Sequence, residues 1–316
     1  MKGYGPEDGA RSPRVAGVTT FLRLPHVTHF EDVDVAVVGL PFDTGLAVRT
    51  GARFGPRAIR EASLTIHPAY NPAQRVAVFE RLSVIDAGDA HMVAGFSDRS
   101  LAAMQEFLAP VHEAGAVPLC LGGDHTVLLA ELRAAAAKYG PLALLHFGAH
   151  TDCLDEASGE KRAHSTVVRR AVEEGLIDPE HSALLGMRGG IDTRDEYDRA
   201  RELGFTVVPW DDLAQLGNGV IAAAVEAVGE RKAFVTVDAD FVDPGFAPAV
   251  GTPEVGGPTS AQALALIRGC RGLDLAGADV VEVVPELDSS HLTALVAATI
   301  AYELLSLMAC SGGTCA

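Results

Sequence analysis

The sequence predicts an α/β fold of three layers, with helices on both faces of a mainly parallel central sheet. Three observations carry this reading. Short apolar runs of strand length alternate with helical periodicities along the chain. Runs such as 33–38 are nearly continuous in apolar residues, which fits strands buried on both faces. Clusters of Gly, His and Asp recur just after the strand-like runs, where open parallel sheets gather their polar groups. With 316 residues and 48% hydrophobic content the chain can bury a full core, and no linker, repeat or low-complexity segment interrupts the alternation. A single domain over 1–316 is expected, with 1–30 as an N-terminal leader segment.

Taken in order, a strand over 33–40 runs through Pro41-Phe42-Asp43 into a loop rich in Gly and Arg. A helix over 56–62 follows, with Pro56 in the first turn, where its missing N–H leaves nothing unsatisfied. A strand over 83–86 ends at Gly88-Asp89. Helical periodicity over 100–114 leads to a strand over 116–121, which ends in Gly122-Gly123-Asp124-His125. Beyond a helix over 126–138, the strand over 142–147 stops abruptly at Gly148-Ala149-His150-Thr151-Asp152. A long loop then reaches a helix over 166–174. Strands over 183–187 and 205–208 follow, with helices over 195–202 and 220–228. The strand over 233–237 is closed by Asp238-Ala239-Asp240; then come a helix over 260–268, a strand over 279–284 and an apolar helix over 292–308. Helices of crossover length between strands imply parallel pairing.

The balance of 25 basic against 42 acidic side chains gives a formal charge of −17. Such a field repels nucleic-acid backbones and anionic membranes and draws in cationic small molecules and metal ions. Residues 1–14 lack the apolar core of a signal peptide, and no run of ~20 apolar residues could span a membrane, so a cytoplasmic location is expected. Cys120, Cys153, Cys270, Cys310 and Cys315 are odd in number and scattered, unlike a disulfide framework; the last two fall in a Ser/Gly/Thr tail, where a metal or disulfide role competes with a frayed terminus, the expected state.

Because parallel strand ends share one edge, His125, His150, Asp152, Asp238 and Asp240 are expected to meet in one crevice. His150 and Asp152 alternate with Ala149 and Thr151, so in extended chain both point the same way. Two imidazoles and three carboxylates suit Mn²⁺, with Zn²⁺, Ni²⁺ or Fe²⁺ as alternatives, and no thiolate lies in a ligand pattern.

These residues carry a resemblance. Gly-Gly-Asp-His at 122–125, Ala-His-Thr-Asp at 149–152 and Val-Asp-Ala-Asp-Phe-Val-Asp-Pro at 237–244 resemble the signature motifs of the ureohydrolase family, which includes arginase and agmatinase. The similarity extends to 53–60, to Gly251-Thr252-Pro253-Glu254 and to 281–285, nearly the whole chain. It implies a three-layer α/β/α fold with two Mn²⁺ ions, hydrolysing a guanidino group to urea and an amine. By motif position, His125, Asp152 and Asp238 would hold one ion, and His150, Asp238 and Asp240 the other. His164 matches a histidine that relays protons to the leaving amine, and Glu282 the carboxylate that grips the substrate guanidinium. Homo-oligomers, trimers or hexamers, are implied as well.

One position departs from the pattern. Where the family's second motif begins with an aspartate bridging both ions, this chain has Gly148. Metal affinity should fall, leaving one site weak or empty. A water or a nearby carboxylate, Asp155 or Asp124, could fill the gap; alternatively the chain is a one-metal or inactive relative, or Gly148 is an introduced change. Gly159-Glu160-Lys161-Arg162-Ala163 before His164 resembles the agmatinase and guanidino-acid branch, so the implied substrate is a small cationic guanidino compound such as agmatine, or a guanidinobutyrate-like acid. His164-Ser165 replaces that branch's usual His-Gly, which leaves room for a specialised guanidino substrate. A non-catalytic regulatory subunit is the main rival, and a deacetylase-like metal hydrolase the second.

Overall fold

Eight strands pair in parallel to form one sheet in a computed structural model that describes residues 3–9, 12–45 and 48–311. They are β1 (Val35–Leu40), β2 (Val84–Asp89), β3 (Val117–Gly122), β4 (Ala143–Phe147), β5 (Ala183–Met187), β6 (Thr206–Pro209), β7 (Lys232–Asp238) and β8 (Asp274–Val281). Their spatial order is β2-β1-β3-β8-β7-β4-β5-β6. The chain lays down β1 to β3 on one half, crosses to β4, β5 and β6 on the other, and returns to fill the gap with β7 and β8. The reversal of strand order therefore falls in the middle of the sheet, where open α/β folds form their crevices.

Among the described residues ten α-helices accompany the strands: α1 (Gly55–Ser63), α2 (Val78–Arg81), α3 (Ser97–Glu113), α4 (Leu128–Tyr139), α5 (Val167–Glu173), α6 (Glu196–Glu202), α7 (Trp210–Leu216), α8 (Asn218–Val228), α9 (Ser260–Arg268) and, after the last strand, α10 (Leu292–Met308). Alternation along β1 shows how they become two layers. Val35 and Val37 join a core with Ile59 of α1, Ala263 of α9 and Ala297 of α10. Ala36, Val38 and Leu40 join a separate core with Leu101 of α3, Leu128 of α4 and Val168 of α5. Successive side chains leave opposite faces of a strand, so a doubly covered sheet needs apolar residues at both parities.

Residues 21–24 of the leader are drawn into the first core. Phe21 is fully buried and its N–H donates to Asp86 Oδ2 at 2.8 Å, while the Leu22 N–H donates to Ser63 Oγ at 2.8 Å. Asp86 is also gripped by Arg60 through Nε at 2.8 Å and Nη2 at 2.9 Å. That ties the leader, α1 and β2 together.

Several elements differ from the sequence reading. β8 begins at Asp274 rather than at 279, because Asp274, Leu275 and Gly277 pair with Lys232, Ala233 and Phe234 of β7, and a Cβ on Gly277 would stand 2.6 Å from the Phe234 ring. β8 also ends at Val281, so Glu282 follows the strand instead of lying within it. Helices α2 and α7 are short and carry no full amphipathic repeat; α7 is fixed by burial of Trp210 and Leu213. Cys310 is buried at the end of α10 instead of fraying, and Cys315 lies outside the described residues. Among the described residues no helix is long and apolar enough to cross a membrane.

Candidate metal centre

The register places the carboxyl ends of the four central strands side by side: Leu121 pairs with Val280, Asp238 with Val281, and Phe147 with Val237. Chain leaving β3, β4, β7 and β8 there supplies all seven site residues singled out from the sequence. After β3, a Cβ on Gly123 would collide with the Phe42 carbonyl, so the backbone can pass only as glycine. Asp124 then caps the following turn, accepting from the Thr126 N–H at 2.9 Å and the Gly45 N–H at 2.8 Å. This delivers His125, fully buried, onto the crevice floor.

The orientation of His125 follows from its hydrogen bonds. Thr236 Oγ1 donates to Asp279 Oδ1 at 2.6 Å, so toward His125 Nε2, 2.8 Å away, it can only accept. Nε2 therefore carries the proton, and Nδ1 faces Asp152 Oδ2 at 2.9 Å and Asp238 Oδ2 at 3.2 Å. Burial alone would lower the pKa of His125, but these two carboxylates raise it well above the ordinary value. A nitrogen facing two carboxylate oxygens in this way demands a cation or a proton between them.

Asp152 reaches this position through a left-handed backbone, φ 52°. The chain after β4 is not extended, so the expectation that His150 and Asp152 point the same way is corrected. Asp152 turns inward to His125, whereas His150 pairs with Asp240, Nδ1 to Oδ2 at 2.8 Å, and presents Nε2 3.7 Å from Glu254 Oε1. Burial opposes protonation of His150, yet Asp240 outweighs it and raises the ring to about 10. Asp240 also accepts the Ala149 N–H at 2.8 Å, and its own N–H donates to Asp238 Oδ1 at 2.8 Å. Burial and then repulsion from Asp240 push Asp238 up to about 8.

Glu282 occupies a left-handed backbone as well, φ 68°, with its N–H donated to the Gly123 carbonyl at 2.8 Å. Its Oε1 accepts the His125 N–H at 2.8 Å and lies 3.6 Å from His164 Nδ1, and its Oε2 is buried without a partner. Burial followed by the Asp238 charge raises Glu282 well above the usual carboxylate range, and burial lowers His164. Beyond them opens a cleft of about 430 Å³, lined by His150, Asp152, His164, Glu156, Asp192 and Glu196 among others.

All seven residues singled out from the sequence thus lie at one rim. They form two groups: His125, Asp152, Asp238, His164 and Glu282 around the floor, and His150 with Asp240 beside it. Neither carboxylate suggested as a substitute for the missing aspartate is placed to act as one. Asp124 is consumed as a cap, and Asp155 is half-exposed and bonded to Arg170 Nη2 at 2.9 Å. The sequence reading assigned no role to Thr236 and Asp279, which orient His125, or to Arg188, whose Nη2 donates to the Asp240 carbonyl at 2.6 Å and the Glu254 carbonyl at 2.8 Å. It also passed over His146, a fully buried strand residue within 4.8 Å of donor atoms on His125 and Asp152.

The chain belongs to the Arginase family, whose model matches residues 33–306. Within it, the similarity falls in the branch of agmatinases and guanidino-acid amidinohydrolases, which act on carbon–nitrogen bonds of linear guanidino compounds. Guanidinopropionase of Pseudomonas aeruginosa is 43% identical over 306 residues, covering 96% of each chain. The mitochondrial guanidino acid hydrolase of Homo sapiens is 42% identical, over 92% of this chain and 83% of its own. Among solved structures, proclavaminate amidinohydrolase from Streptomyces clavuligerus superposes with a TM-score of 0.89 at 39% identity, over 94% of this chain and 99% of that one.

Proposed function

We propose that this chain is a metal-dependent amidinohydrolase that cleaves a linear guanidino compound to urea and an amine. The observation that carries the reading is the convergence of His125 Nδ1, Asp152 Oδ2 and Asp238 Oδ2 beside a cleft lined by Asp152 and His164, with a buried, unpartnered carboxylate oxygen, Glu282 Oε2, behind His164. The donor set fits a divalent cation: oxygen-rich with imidazole nitrogen, as Mn²⁺ takes. His125, Asp152 and Asp238 would hold one ion, and His150, Asp238 and Asp240 a second. When bound, such a pair supplies an activated water near neutral pH, which an unassisted guanidinium, resonance-stabilised as it is, requires.

The chain's own residues do the rest. Glu282 Oε2 has no partner of its own and can accept from a guanidinium N–H, a charge-assisted bond formed once that cation draws the buried carboxyl back to its ionised form. His164, kept neutral at physiological pH by burial and facing Glu282, can take a proton from the floor of the site and hand it to the departing amine. Glu156, Asp192 and Glu196 line the cleft, with no Lys or Arg among its described lining residues, so the far end of the substrate is cationic or neutral, as in agmatine, and not a carboxylate. Homo-oligomeric assembly as trimers or hexamers belongs to the same proposal.

Urea release from agmatine, guanidinobutyrate and guanidinopropionate, compared at equal concentration with added Mn²⁺, tests both levels. Agmatine is expected to give the highest kcat/KM. Faster turnover of either acid overturns the substrate assignment, and silence across the panel in metal-loaded protein overturns the activity.

A further inference from the structure

His146 is the most buried imidazole that the proposed chemistry leaves unused. It sits in the interior of β4, fully buried, and neither ring nitrogen has a hydrogen-bond partner. An orphaned imidazole of this kind is unusual unless something else satisfies it. Its surroundings are specific. The ring packs edge-on against His125, centroids 4.9 Å apart at 76°, and Nε2 lies 3.8 Å from Asp152 Oδ2.

Gly148 explains how the ring can be there. A Cβ built on Gly148 would stand 2.5 Å from His146 Nε2 and 3.1 Å from Cδ2, and 3.6 Å from Asp238 Cβ. Residues two apart at a strand end project from the same face, so the His146 imidazole fills the space that a side chain at 148 would need. That space adjoins the carboxylates of the site. It is also the place where the resemblance puts a bridging aspartate.

Resting on the metal-dependent reading above, we propose that His146 replaces the absent carboxylate as a metal ligand, so that the inner ion is held by two imidazoles and two carboxylates, His125, His146, Asp152 and Asp238. The exchange is unequal. Imidazole offers one lone pair and no charge, so it cannot bridge two ions as a carboxylate does. Asp238 is then the sole shared ligand, and the outer ion at His150 and Asp240 binds more weakly than the inner one. A site richer in nitrogen also moves preference away from Mn²⁺ toward Co²⁺, Ni²⁺ and Zn²⁺.

The test is metal binding, independent of turnover. Metal-free wild type, His146→Phe, Gly148→Asp and Asp152→Asn are titrated with Co²⁺ and with Mn²⁺, following calorimetry and the visible Co²⁺ bands. Wild type should take one ion of Co²⁺ at least about tenfold more tightly than the second, and His146→Phe should weaken that inner site by about tenfold or more. Gly148→Asp must displace the imidazole, and should raise the affinity for the outer ion while shifting preference back toward Mn²⁺. Pulsed electron–nuclear resonance on Co²⁺-loaded wild type counts coordinated imidazole nitrogens at the inner site without any variant: two are expected. One nitrogen, or unchanged Co²⁺ binding in His146→Phe while Asp152→Asn loses it, overturns the role of His146 and leaves the metal centre standing. Failure of wild type to bind either ion overturns the metal reading and this proposal with it.

Discussion

Thr236→Val removes one hydroxyl and almost no volume, and it tests whether the chain Asp279–Thr236–His125 is what aims His125. The hydroxyl makes two buried bonds, 2.8 Å to His125 Nε2 and 2.6 Å to Asp279 Oδ1. Asp279 Oδ1 keeps the Val237 N–H at 3.2 Å, so its loss is partial, whereas His125 Nε2 is left with no other partner. A buried group stripped of its partner costs about 1–3 kcal/mol, and the second lost bond about 1, giving roughly 2–4 kcal/mol of stability for the metal-free protein. The imidazole is then free to change tautomer or tilt, which should lower metal affinity about 10–100-fold. Urea denaturation of metal-free protein reads the first quantity and calorimetric Co²⁺ titration the second. Thr236→Ser should recover most of both, because it restores the hydroxyl. A protein destabilised as expected but binding metal like wild type would refute the orientation argument, since the hydroxyl would then serve the fold alone.

Two further outcomes concern stability. Arg60→Met deletes bonds of 2.8 and 2.9 Å to Asp86, 2.6 Å to Asp89 and 2.9 Å to the Gly88 carbonyl, stranding a carboxylate that is 1% exposed. A loss of about 3–5 kcal/mol in urea denaturation is expected, and a loss below about 1 would mean that the leader and β2 are held by other contacts. His112 is pushed down to about 4 from an ordinary 6.5 by burial and then by the Lys138 charge, with Tyr139 against its ring. Below about pH 6.5 the unfolded chain takes up a proton that the folded chain refuses. Stability should therefore fall by up to about 1.4 kcal/mol per pH unit until the folded pKa is reached. His112→Phe should flatten this dependence between about pH 6.5 and about pH 4, and an unchanged slope would assign the acid sensitivity to other groups.

Most of the architecture was legible because strands such as β1, β4 and β5 are nearly unbroken apolar runs separated by stretches of helical length. The crossover rule then turns that alternation into one parallel sheet, and parallel strands bring His125, Asp152 and Asp238 to the same edge. What failed was local. Asp152 was misaimed because a left-handed residue breaks the two-residue alternation, and nothing in Ala-His-Thr-Asp announces a positive φ at a non-glycine. Helix α7 was missed because its hold on the fold is tertiary: the Trp210 ring lies edge-on to Phe241 at 6.3 Å. His146 escaped notice because inside Leu144-Leu145-His146-Phe147 it reads as an ordinary strand position. The available signal was its parity with Gly148, two residues on, where a side chain was lacking.

Since every strand runs the same way, the opposite rim of the sheet carries only entries into strands. Gly115, Gly140 and Gly272 sit there ahead of β3, β4 and β8 with nothing within 4 Å of where a Cβ would stand; their positive φ of 86°, 75° and 99° keeps those three positions glycine, so additions belong at their neighbours. That rim is open ground for engineering. A spectroscopic label, a short inserted tag or a tether to a solid support placed in those turns would leave the cleft facing solution, so the chain could be anchored by its back while its mouth stays accessible.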